Sequence, residues 1–134
     1  MKRILVPIDG SARALETLRG VLRRGPFGID SVELVNVQPL FNRHVAQWIP
    51  QRLRDQWRAE RSAAALAPAV ELAQASGIRF RVHAVTGDRR HAIAQAARDW
   101  RCDEIAETPA QARDLAPWLA LPAGLGLIAW LILD

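Results

Sequence analysis

The chain is expected to fold as an α/β domain: a parallel sheet with helices on both faces. Three observations predict this. Strand-length apolar runs, beginning with Ile4-Leu5-Val6, alternate with longer stretches of helical spacing. Glycine or proline marks most of the junctions between them. The first strand runs directly into an Asp9-Gly10-Ser11 turn that can open a helix. A β-α-β-α order implies parallel strands joined by right-handed crossovers.

Residues 3–8 are nearly all apolar, as a strand buried on both faces requires. Gly10 permits the sharp turn, and Ser11 is a good N-cap for a helix over about 12–24. Its inward stripe is Ala14, Leu15, Leu18, Val21 and Leu22, at helical spacing. Gly25-Pro26 and Gly28 stop it. The second strand is Ser31 to Val37, and Pro39 ends it. A loop with Phe41, His44 and Trp48 follows. Pro50 suits the start of a long helix, about 51–76, with Leu53, Trp57, Leu66, Val70 and Ala73 facing inward. Pro68 is expected to kink or split it, and Gly77 to end it.

The third strand, Ile78 to Val85, alternates apolar residues with Arg79, Arg81 and His83. Alternation of this kind suits an edge strand, and inserted arginines guard edges against pairing. Asp88 caps a helix over about 89–101 with the stripe Ile93, Ala96, Ala97 and Trp100. Asp103 to Glu107 is a weak fourth strand. A short helix over 109–119 and a last strand over about 127–133 complete the pattern. No repeat or low-complexity linker interrupts the 134 residues, so a single domain over 1–134 is expected.

Half of the residues are apolar, enough for a substantial core, and the net charge is +4. All the basic residues except Lys2 are arginine, and they are spread from Lys2 to Arg113. A nucleic-acid binder usually gathers them into one stripe interleaved with aromatics, so no nucleic-acid partner is expected. Cys102 is the lone cysteine, which excludes an intrachain disulfide and suits the cytoplasm. Only a short apolar strand follows Lys2-Arg3, so no secretory leader is expected. Ala116 to Leu133 carries no charge and is near the length that spans a bilayer. Pro122, Gly124 and Gly126 near its middle argue instead for a turn and a buried strand.

A carboxylate at the carboxyl end of a buried strand, beside a helix N-terminus, stands where open α/β sheets bind small ligands. Asp9 has that position. It can accept hydrogen bonds from a ribose or help hold a hydrated cation, or it can simply cap the following helix. His44, His83 and His91 show no metal-ligand spacing with one another or with Cys102. Ser11 has no base committed to it. Asp103, Glu104 and Glu107 alternate faces if the segment is a strand, so they form no paired site. No catalytic set emerges, and a non-enzymatic role is expected.

At these residues the sequence resembles the universal stress protein family. Ile4-Leu5-Val6-Pro7-Ile8-Asp9-Gly10-Ser11 looks like the family's opening strand and turn. Leu34-Val35-Asn36-Val37, Gly87-Asp88 before an Ala-rich helix with Ile93, and Cys102-Asp103-Glu104-Ile105 follow in the family's order, over residues 2 to about 106. The resemblance implies a Rossmann-like five-stranded parallel sheet in the order 3-2-1-4-5, and usually a dimer. Many members bind ATP. The implied contacts are Pro7 and Asp9 to adenine and ribose, and the Val37 backbone to the adenine edge.

The phosphate half departs from the family. ATP-binding members carry a Gly-x-x-Gly loop after the fourth strand, with Gly-Ser or Gly-Thr further on. Bare backbone amides and a helix N-terminus must approach the phosphates closely. Here the strand runs into Glu107-Thr108-Pro109, and no glycine lies between Gly87 and Gly124. No cation follows Arg113.

The leading expectation is therefore a non-enzymatic, homodimeric stress-response module without tight ATP binding or any other cofactor. Its dimer contact would be the unguarded final strand, 127–133, with a further protein partner as another role for the same module. One alternative is an adenine-nucleotide sensor using Pro7, Asp9 and Val37 with an atypical phosphate site. Another is a tail-anchored or peripheral membrane protein through 116–133.

Overall fold

Ile4, Leu5 and Val6 are fully buried in β1 (Lys2–Pro7), the central strand of a parallel sheet. A strand apolar on both sides needs a cover on each face, and the chain supplies both. The computed structural model describes residues 2–107 and the backbone of 129–132. After β1 come α1 (Ala12–Leu22), β2 (Ile29–Gln38), α2 (Arg43–Ala46), α3 (Gln51–Ser76), β3 (Phe80–Thr86), α4 (Arg89–Asp99), β4 (Glu104–Glu107) and β5 (Ala129–Ile132).

The spatial order is β3-β2-β1-β4-β5. The four strands whose side chains are described run 3-2-1-4. The fifth is described by its backbone alone, paired parallel to β4 from Glu104↔Ala129 to Glu107↔Ile132. The expected helix over 109–119 lies outside the described residues, as do the two ends of the strand expected over 127–133.

Both crossovers toward β3 lie on one face. Leu18 and Val21 of α1 and Leu66, Ala69 and Ala73 of α3 pack there on Ile4, Val6, Val32 and Leu34. The crossover toward β4 must take the opposite face, where Ile93, Ala96 and Ala97 of α4 meet Leu5, Val35 and Ile105. Full burial of side chains such as Leu18 and Ile93 contributes about 1.5–3 kcal/mol each.

Four expectations need correction. The chain forms an extra short helix, α2, inside the loop expected after Pro39. Helix α3 runs unbroken through Pro68. Pro68 and Ala64, whose carbonyl loses its amide partner, both face solvent, so water can replace the missing bond. Leu53 and Trp57 are exposed rather than inward, in contrast to Leu66 and Ala73 further along the same helix. On β3, Val82 and Ala84 are exposed, while His83 packs toward the sheet's charged face. The edge position expected for β3 is observed; its wet and dry faces are not those expected from polarity.

Candidate functional site

The carboxyl ends of β1, β2 and β4 meet the N-termini of α1 and α4 at one rim of the sheet. A cleft of about 90 Å³ opens there, room for several waters. Pro7, Ile8 and Asp9 line it from the end of β1, and Val35 and Val37 from β2. Ala14 and Thr17 come from α1, Arg89 and Ile93 from α4, and Ala106 and Glu107 from β4. The structure thus brings Pro7, Asp9 and Val37 together. Val37 and Arg89 also border a wider depression of about 510 Å³, shared with Pro39, Leu40, Gly87 and Asp88.

Asp9 sits in a turn that local chemistry holds. Its Oδ1 accepts the Ser11 amide at 2.9 Å. Ser11 Oγ accepts the Ala14 amide at 3.2 Å and so caps α1, as expected. Gly10 has φ +88°, and a β-carbon added to it would lie 3.6 Å from that of Ala65. Partial burial pushes the Asp9 carboxyl up. Hydrogen bonds from the Ser11 hydroxyl and amide and from its own amide, with Arg89 nearby, outweigh that and hold it below its ordinary value. Asp9 is therefore an ionised acceptor at neutral pH.

The exit of β1 is pinned from below. The Ile8 amide donates to the Val35 carbonyl at 2.7 Å. Asn36 Nδ2 donates to the Ile8 carbonyl at 2.8 Å. Asn36 Oδ1 in turn accepts Ser62 Oγ and Gln38 Nε2, each at 2.8 Å. These groups are buried, and a satisfied buried network of this kind rigidifies what it touches. Asn36 was missed as a positioning residue. Its signal is phase: it continues the inward face of Val32 and Leu34, where a polar side chain must have partners.

Arg89 and Glu107 were also missed as a pair. Asp88 caps α4 by accepting the His91 amide at 3.1 Å, which places Arg89 as the first helical residue. Arg89 Nη2 donates to Glu107 Oε1 at 2.9 Å. Glu107 is 3% exposed, and burial pushes its carboxyl up to about 6. Arg89 pulls the other way without cancelling the shift, and Asp9 adds to it. Glu104 faces the opposite side of the sheet and pairs with Lys2 and Arg24. The acidic residues of β4 therefore form no single cluster, as the alternation required.

A second charged group lies on the same sheet face as Glu107, away from the rim. Glu33, fully buried in β2, accepts Arg81 Nη2 at 2.6 Å and Nε at 3.0 Å, and bonds His83 Nε2 at 2.8 Å. His83 is therefore not a plain exposed strand residue. Its ring also stacks on Trp100, with centroids 3.5 Å apart. Cys102 lies near this group, and burial, with the Glu33 charge, pushes its thiol up to about 12. A thiol so raised is a poor nucleophile. Among the described residues no three His, Cys, Asp or Glu side chains gather as metal ligands, and no helix is long and apolar enough to cross a membrane. Most of the apolar stretch 116–133 lies outside those residues.

The model of the universal stress protein family matches residues 1–106. No curated protein matches the chain. Among solved structures, a universal stress protein family protein from Burkholderia pseudomallei is similar at 22% identity and TM-score 0.71. That match covers 97% of this chain and 95% of the other. A family member from Arabidopsis thaliana with AMP bound is similar at 13% identity and TM-score 0.66, covering 100% of this chain and 93% of the other. A universal stress protein in complex with cAMP is similar at 15% identity and TM-score 0.63, covering 97% and 96%. Identities this low speak to the fold.

Proposed function

The chain belongs to the universal stress protein family, and on that footing we propose that it is a non-enzymatic, cytoplasmic module that holds an adenine nucleoside or nucleotide. The observation that carries this reading is the convergence of Pro7, Asp9 and Val37 on one cleft at the carboxyl ends of β1 and β2. That is where a doubly wound sheet presents ligands. Asp9 offers a fixed, ionised acceptor suited to ribose hydroxyls, and Pro7 and Val37 offer apolar walls. The AMP and cAMP found in two structural relatives support adenine as the base.

The module acts as a homodimer in this proposal. β5 stands at one edge of the sheet, paired to β4. The sequence from Leu127 to Leu133 carries no charge or proline to guard that edge. A second copy would cover it. Light scattering after size exclusion at micromolar concentration checks this, and a clean monomer would refute it.

Ligand binding is tested by calorimetric titration with adenosine, AMP and ATP. Saturable binding by at least one, weakened about tenfold or more in Asp9→Ala, is the expected result. Absence of heat with all three would sink the nucleoside reading.

A further inference from the structure

We propose that Glu107 and its partner Arg89 set the charge class of the ligand, so that the cleft takes an uncharged nucleoside in preference to its phosphate esters. This inference rests on the adenine reading above and narrows it.

Charge in a confined space decides the preference. Of the described residues lining the cleft, three are charged: Asp9, Glu107 and Arg89. Two carboxylates against one guanidinium leave a net negative charge when all are ionised. The one cation among them is already held, 2.9 Å from Glu107 Oε1. An incoming phosphate would have to take Arg89 away from Glu107. It would then leave that buried carboxylate facing both Asp9 and the phosphate charge. Like charges brought together in a low-dielectric cleft repel strongly. A nucleoside carries no such charge. Its hydroxyls can donate to Asp9 without disturbing the ion pair.

The position of Glu107 makes the effect specific. It is the last residue of β4, next to the β1 end that holds Asp9. A ligand whose base meets Val37 and whose ribose meets Asp9 runs from β2 across β1, and its 5′ end points toward β4. The arrangement therefore guards the 5′ substituent rather than the base. Burial also makes the guard titratable. Protonating Glu107, raised to about 6, removes one negative charge and weakens its hold on Arg89. Among the described residues, the charged groups facing Glu107 are Arg89 from α4 and Asp9 from the end of β1; α1 contributes uncharged Thr17 and β2 uncharged Val35.

Calorimetry on the full chain at pH 7.5 tests this, with adenosine and AMP against the wild type and Glu107→Gln. The wild type should bind adenosine at least about tenfold more tightly than AMP. Glu107→Gln should strengthen AMP binding by about tenfold and leave adenosine nearly unchanged. A second arm keeps the native sequence and lowers the pH from about 7.5 to about 5 with cyclic AMP, whose phosphodiester charge is constant over that range. Its affinity should rise several-fold while that of adenosine stays level. If AMP binds the wild type as well as adenosine does, the inference is overturned and the adenine reading stands. The inference also falls, with the adenine reading intact, if both Glu107→Gln and acid leave phosphate-ester binding unchanged. If neither adenosine nor AMP binds either protein, the adenine reading fails and takes the inference with it.

Discussion

Two glutamates are buried on the same face of the sheet, and their surroundings could hardly differ more. Glu33, mid-strand in β2, meets a bidentate arginine, a histidine and a further guanidinium 3.9 Å away. Glu107, at the tip of β4, has one arginine and opens onto a cleft. A buried carboxylate must be compensated or it resists ionising. Glu33 is compensated from several directions by side chains of the neighbouring strands β1 and β3. Glu107 is compensated from one side, and burial pushes its carboxyl up to about 6. Burial of charge alone does not mark a site; incomplete pairing at the rim of a cleft does.

The largest expected effect tests the first half of that contrast. Arg81→Ala removes the main partner of a carboxylate that has no exposure of its own. Stripping its main partner from a buried carboxylate leaves that charge uncompensated, and this should be the most destabilising of these changes. Glu33→Gln should cost less, about 1 kcal/mol, because the Arg81 side chain is 55% exposed and water can take over its charge. Urea denaturation of both variants measures the asymmetry. Equal losses would show that Glu33 is less isolated from water than its burial implies.

The next effect concerns Glu107 and pH. Its folded-state value lies near 6, above the ordinary 4.5, so the folded chain binds the proton more tightly than the unfolded chain does. Above about pH 6 both states are ionised and the folded state carries the penalty. Below pH 4.5 both are protonated and the penalty is gone. Stability should therefore rise by up to about 2 kcal/mol as pH falls from about 7 through this window. Asp9 and Glu104 act in the opposite sense. Their carboxyls are held below 3.8 and 4.5, so their contributions are lost only at lower pH still. Thermal melts across about pH 4 to 8 should peak near pH 5, and Glu107→Gln should flatten the rise between about 7 and 5.

These two residues also show what sequence can carry. The strands and helices of residues 2–107, α2 apart, were legible because apolar periodicity, Ser11, Asp88 and Gly77 are local signals, and each of these caps is found where expected. That Pro7, Asp9 and Val37 would meet in one cleft was legible because the resemblance aligned strand ends. Glu33 was not, because a charge inside an apolar strand reads as the solvent phase until the register with Arg81 and His83 is known. The Arg89–Glu107 pair depends on α4 and β4 meeting at the rim, which the residues between them do not encode locally. Leu53 and Trp57 failed in the other direction. Their helical spacing is inward, but they are exposed at the start of α3.

The smallest effect separates the two glutamates through a helix cap. Asp88 fixes the first turn of α4 and with it the base of Arg89. Asp88→Ala should cost about 1 kcal/mol, as lost caps do. It should also loosen Arg89 from Glu107 and drive the Glu107 carboxyl further up, since burial would then act with less opposition. Glu33 takes its partners from β3 and β1, so its contacts do not depend on the cap. Titration of the Glu107 carboxyl followed by isotope-edited infrared or NMR checks this. An upward shift of the Glu107 carboxyl would show that the rim pair depends on the helix cap. An unmoved Glu107 carboxyl would mean that the Arg89 pair holds without the cap.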